Sequence, residues 1–80
     1  MEGSFRSTAF VYRLDGVWCL SDSLPGLEFG PDDVIRLDVA GPQPPSAAMG
    51  WGGGHSLLVY NVQYAITRLR MAGYQASVGD

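Results

Sequence analysis

The chain has 80 residues, with eight acidic and five basic side chains and a formal net charge of −3. This length allows one domain, residues 1–80, with a thin hydrophobic core. The chain contains no lysine, which argues against direct nucleic-acid binding through a basic face. One cysteine and one histidine are too few for a disulfide or a typical zinc site, so we expect neither a metal nor a cofactor.

The N-terminal segment has neither the basic cluster nor the apolar stretch of a signal peptide. The most apolar stretch, Leu57 to Ile66, is about half as long as a membrane span and contains Asn61 and Gln63. We therefore expect a cytoplasmic protein without membrane contact.

A β-hairpin is predicted at the N-terminal end of the chain. Residues 9–14 and 17–20 are rich in strand-forming residues, and Asp15-Gly16 between them is typical of a two-residue type I′ turn. Phe10, Tyr12 and Leu14 share one face of the first strand, and we expect that face to pack against a helix.

A long loop and a third strand follow the hairpin. Residues 21–33 contain Pro25-Gly26 and Gly30-Pro31, which predict a loop with room for one helical turn. Residues 34–40 alternate, with Ile35, Leu37 and Val39 on the side expected to be buried. Residues 42–54 contain three prolines and four glycines and are predicted to form an internal loop.

The main helix is predicted over residues 56–72, where apolar residues recur with a period of 3.6 and Gly73 supplies the stop. The alternative is a strand at residues 57–62 that leads into a helix capped by Asn61. Residues 74–78 can add a short fourth strand. The fold class is α+β: a small antiparallel sheet, built from the hairpin and the third strand, packed against one long C-terminal helix.

Charge is concentrated in the middle of the chain. Residues 15–38 carry six carboxylates against one arginine, whereas residues 39–67 carry no charged side chain. Carboxylates on a loop and an adjacent strand are suited to a protein partner with a basic surface; the alternative is that they serve only solubility. The candidate partner-binding carboxylates are Asp22, Glu28, Asp32, Asp33 and Asp38.

Two residues of the 42–54 loop complete the candidate site. Trp51 lies among glycines, and tryptophan is enriched at interface hot spots. We expect Trp51, with Met49 beside it, either to bind the partner or to fold back over the core.

The first functional hypothesis is therefore a non-enzymatic protein-binding module. The alternatives are a small enzyme or ligand-binding subunit that uses His55, Cys19 and the glycine-rich loop, and a homodimer formed through a sheet edge or the neutral segment. The small size, acidity and lack of catalytic motifs resemble the profile of inhibitors from phages and mobile elements, such as anti-CRISPR proteins, and of bacterial immunity proteins. That resemblance implies a role in occluding the basic groove or active site of a larger, nucleic-acid-handling protein.

Overall fold

The computed structural model describes residues 5–43, Met49 and residues 55–79. Within these residues, four strands are followed by one helix of more than one turn and then by a fifth strand. The elements in chain order are β1 Phe5–Leu14, β2 Val17–Ser21, β3 Val34–Gly41, β4 Leu57–Val59, α1 Val62–Met71 and β5 Gln75–Val78.

The five strands form one antiparallel sheet in the order β4-β2-β1-β3-β5. The first strand is therefore the central one, and the two shortest strands form the edges. Helix α1 leads from edge strand β4 to edge strand β5, and it contacts both. The α+β class is confirmed, including the additional last strand.

The hairpin turn has the predicted geometry. Asp15 and Gly16 both have positive φ, 53° and 79°, as a type I′ turn requires. The turn sets Leu14 opposite Val17, and the rest of the β1–β2 register follows from that pair. Residues 22–33 contain turns and bends but no helical turn.

The helix is shorter than the main prediction, and the alternative is confirmed. Residues 57–59 form β4 by pairing with β2, so the apolar period of 3.6 extends beyond the helix into a strand. Asn61 is the N-cap, and its side chain accepts a hydrogen bond of 2.8 Å from the Tyr64 backbone N–H. Gly73 has φ 98° and ends the helix as predicted.

Helix α1 covers the sheet face opposite to the one expected from β1 alone. Val11 lies opposite Leu20 on β2 and Ile35 on β3, so the three strands together place their aliphatic side chains beneath the helix. Phe10, Tyr12 and Leu14 instead lie on the other face, which we call the open face. The buried core consists of Ala9, Val11, Leu20, Leu37, Val39, Met49, Val59, Ala65, Ile66, Leu69, Tyr74 and Ala76.

The alternation predicted for β3 is confirmed. Leu37 and Val39 are buried under the helix, and Ile35 is half-buried beside them, whereas Arg36 and Asp38 are exposed on the open face. Because β3 carries this pattern on its own sequence, neighbouring strands were not needed to assign its faces.

Gly41 tests the packing at the end of β3. A Cβ atom at this position would overlap the ring of Tyr74, lying 2.6 Å from Cε1, and Tyr74 is 4% exposed. We expect Gly41→Ala to lower the free energy of unfolding by about 1–3 kcal/mol, because a buried ring must move. Denaturant titration measures this. Gly26→Ala is the matched control, since nothing lies within 4 Å of that position; equal stability of the two variants would contradict the packing at Gly41.

Substitution of Asn61 tests whether the helix begins after this residue. We expect Asn61→Ala to cost about 1 kcal/mol of stability, because the Tyr64 N–H loses its acceptor. Asn61→Asp keeps an acceptor oxygen and should remain close to the wild type in the same titration. If the helix began at residue 56, Asn61 would lie in the second turn and both variants would have little effect.

Candidate functional site

Residues 22–33, here called the acidic loop, cross the open face between β2 and β3. The ring of Phe29 packs on Tyr12, with centroids 5.5 Å apart and ring planes at 55°. Tyr12 is consequently 6% exposed, although it lies on the face that α1 leaves open. The acidic loop is therefore packed against the sheet through an aromatic contact near its centre.

A second contact holds the end of the acidic loop. Arg13 donates to Asp33 Oδ1 from Nη2 at 2.6 Å and from Nε at 3.0 Å, and its backbone N–H donates to the Asp33 carbonyl at 2.8 Å. The guanidinium also lies 5.3 Å from the Trp18 ring centroid. Because the two side chains are 47% and 33% exposed, the ion pair contributes at most about 1 kcal/mol. Its main effect is geometric, because it fixes where the loop joins β3.

Asp33 thus forms an ion pair within the molecule, unlike the other three carboxylates of the acidic loop. Asp22, Glu28 and Asp32 are exposed, and they form no ion pair or hydrogen bond with the residues that the structure describes. Their charges are directed to solvent without a compensating cation from the described chain.

The acidic loop also presents apolar side chains. Leu24 is 38% exposed and Leu27 is 56% exposed, and both lie between Asp22 and Glu28 in the sequence. Short backbone hydrogen bonds shape the segment, from Leu27 N–H to the Pro25 carbonyl at 2.8 Å and from Asp33 N–H to the Gly30 carbonyl at 3.0 Å. The surface therefore combines aliphatic contact area with negative charge.

Asp38 belongs to a different surface. It lies on the open face of β3 between Thr8 and Ser77, four residues from the start of the strand and hence about 13 Å along it. Its carboxylate packs beside Gly79, where an added Cβ would come within 2.9 Å of Oδ1. Arg6 and Arg70 line the same shallow depression, so the charge there is mixed.

The residues predicted in the 42–54 loop are only partly placed. Met49 is 8% exposed and packs in the hydrophobic core, which matches the prediction that it folds back and not the one that it contacts a partner. Trp51 lies outside the described residues, as does most of the 42–54 loop.

Cys19 and His55 do not meet. Cys19 is 8% exposed and lies opposite Leu58, whereas His55 precedes β4 by two residues. Because His55 is three residues before Leu58 along an extended chain, it lies about 10 Å from the position opposite Cys19. The His55 carbonyl accepts a hydrogen bond from Ser21 Oγ at 3.3 Å, which ties this backbone to β2. The nucleophile and base of the alternative hypothesis are therefore not adjacent.

Two further findings concern the described part of the chain. It contains no group of three or more His, Cys, Asp or Glu residues arranged to hold a metal ion. None of its helical segments has the length and apolar character needed to cross a membrane.

Phe29, Tyr12 and the two exposed leucines were not identified as parts of the site from the sequence. The available signal was that Phe29 is the one aromatic residue in the acidic loop. An aromatic side chain within a polar loop indicates a contact that holds the loop in place.

Comparison of the chain with protein-family models, with curated proteins and with solved structures finds no match. The geometry of the described residues is therefore the basis for a functional proposal.

Phe29→Ala tests whether the aromatic contact holds the acidic loop. We expect amide hydrogen exchange in residues 22–33 to become faster, because the contact with Tyr12 is lost, while the amides of β1 paired with β3 stay protected. Leu27→Ala is the control and should leave the exchange pattern unchanged, since Leu27 is mostly exposed. Unchanged exchange in Phe29→Ala would show that the contact does not hold the loop.

Proposed function

We propose that the protein is a non-enzymatic binding module that docks on a basic surface of a larger protein through the acidic loop. The observation that carries this proposal is the combination of exposed carboxylates at Asp22, Glu28 and Asp32 with exposed leucines on one loop that is fixed to the sheet at Phe29 and Asp33.

The two kinds of side chain have separate roles in such docking. Leu24 and Leu27 supply apolar area, which stabilises a complex when it is removed from water. The carboxylates attract a basic surface over long range and disfavour acidic partners, so they raise the association rate and the selectivity.

The contacts at Phe29 and Asp33 reduce the entropic cost of binding. A loop that is ordered only on association loses conformational freedom at that moment, whereas a loop already packed on the sheet has lost most of it during folding. When the loop is already ordered in the free protein, less of the free energy of its contacts with the partner is offset by lost conformational entropy, so the affinity is higher.

The partner that fits this chemistry is a protein with a basic groove, of the kind that binds nucleic acid. Three carboxylates in a short loop offer negative charge to arginines and lysines that otherwise meet phosphates. The module would then act as an inhibitor by occupying that groove. A reducing compartment such as the cytoplasm suits the free, buried Cys19.

The test is affinity capture from the cells that produce the protein, followed by quantitative binding of the captured protein. The variant Asp22→Asn/Glu28→Gln/Asp32→Asn should bind at least about tenfold more weakly at low salt, which corresponds to about 1.4 kcal/mol. Its affinity should also depend less on salt concentration, because fewer charges remain to be screened.

The control is Asp15→Asn/Asp38→Asn, which removes two negative charges outside the acidic loop. Asn tolerates the positive φ at residue 15, so the turn should persist. This control should bind like the wild type, and Leu27→Ala should bind more weakly without a change in loop exchange. If the control lost as much affinity as the loop variant, net charge rather than the acidic loop would determine binding.

A further inference from the structure

Edge strand β4 presents one residue whose backbone has no partner in the sheet. Among the described residues, β4 pairs only with β2. The type I′ turn makes Leu14 and Val17 a hydrogen-bonded pair, and the bonding direction alternates from there along β2. The backbone groups of Trp18 and Leu20 therefore form hydrogen bonds with those of Val59 and Leu57, respectively. The backbone N–H and C=O of Leu58, which lies between them, point away from β2.

The side chains at this edge are apolar and exposed. Leu58 is 67% exposed on the open face, and Tyr60, which follows β4, is 81% exposed. The Tyr60 ring packs edge-on against Tyr64, with centroids 4.9 Å apart. Together with Val17, which is 44% exposed, these side chains border a shallow depression of about 300 Å³.

The opposite edge of the sheet, strand β5, has an arginine bound to its outward backbone. By the same alternation, the backbone groups of Ala76 on β5 point outward, and the Ala76 carbonyl accepts a hydrogen bond of 3.1 Å from Arg70 Nη2. A charged side chain on an edge disfavours the addition of another strand. Strand β4 itself carries no charged side chain, and among the described residues none donates to its outward backbone groups. Arg68 on α1 instead donates to the Tyr64 hydroxyl at 3.5 Å.

These observations favour a second copy of the chain as the occupant of this edge. In a two-fold arrangement each residue meets its symmetry equivalent or a near neighbour, so any charge close to the axis would repel its copy. The uncharged residues of β4 avoid this repulsion at the axis, whereas the protein as a whole carries a net negative charge that disfavours contact between like molecules elsewhere.

We propose that two copies associate by antiparallel pairing of β4 with β4 about a two-fold axis at Leu58. Leu58 of each copy would exchange both backbone hydrogen bonds with Leu58 of the other, and Tyr60 would lie against Ser56 of the second copy. The result is one continuous sheet of ten strands in which the exposed leucines contact each other on the open face.

This pairing has a consequence for the acidic loop. The axis runs perpendicular to the sheet, so both copies present the same face in the same direction. Because the Phe29–Tyr12 contact places each acidic loop on the open face, the dimer would carry two such loops side by side. The pairing itself does not depend on the proposed function, since it needs no other protein.

The test measures the mass of the purified full chain by light scattering from about 1 µM to about 1 mM, a range that covers weak dimers. The wild type should rise toward twice the 8.6 kDa chain mass. Leu58→Lys should raise the dissociation constant at least about tenfold, because it places two cations at the axis. Val78→Lys on the β5 edge, where Val78 is 59% exposed, is the control and should dimerise like the wild type.

Hydrogen exchange of the Leu58 amide tests the same pairing in the wild-type protein. Its N–H should exchange quickly in dilute protein and become protected as the concentration rises, whereas the Leu57 amide should stay protected throughout. A chain that is monomeric over the whole range, or a dimer that Leu58→Lys leaves intact with no protection at Leu58, would overturn the proposal. Either result would leave the proposal about the acidic loop unaffected.

Discussion

The described fold has one ten-residue helix to cover a five-stranded sheet. Such a helix is about 15 Å long, and the sheet is about 19 Å wide, so α1 can bury one face and no more. The opposite face still carries Tyr12, Cys19 and Leu14. The acidic loop covers part of this face, where Phe29 packs on Tyr12.

A loop that must cover the sheet can also carry a binding surface. Phe29 contacts Tyr12 and Asp33 contacts Arg13, while Asp22, Leu24, Leu27, Glu28 and Asp32 are exposed to solvent. The same segment thus satisfies a structural requirement with two residues and exposes carboxylates and leucines with the others. At the far side of the sheet, the exposed Leu58 marks a place where neither the helix nor the acidic loop provides cover.

The sequence was sufficient to predict the local elements whose signals are local. Asp15-Gly16 determined the turn, the alternation of residues 34–40 identified the buried side of β3, and Gly73 marked the end of the helix. The start of the helix at Asn61 was only the alternative, because the apolar period continues into β4. The face of β1 was assigned wrongly because its aromatic residues outweigh Ala9 and Val11 when the strand is considered alone. The assignment depends on Leu20 and Leu37, which reach the same face only through pairing between strands. The Phe29–Tyr12 contact joins residues 17 positions apart across an irregular loop, and no periodicity predicts it.

Both the fold and the proposed binding surface require the acidic loop to be packed on the open face in the free protein. The most direct measurement is the nuclear Overhauser effect between the ring protons of Phe29 and Tyr12 in solution. Because the ring centroids are 5.5 Å apart, we expect clear cross-peaks between the two rings, together with protection of the Arg13 amide that donates to Asp33. Absence of these cross-peaks, with Tyr12 open to solvent and the Arg13 amide exchanging freely, would show that the loop is not packed on the open face.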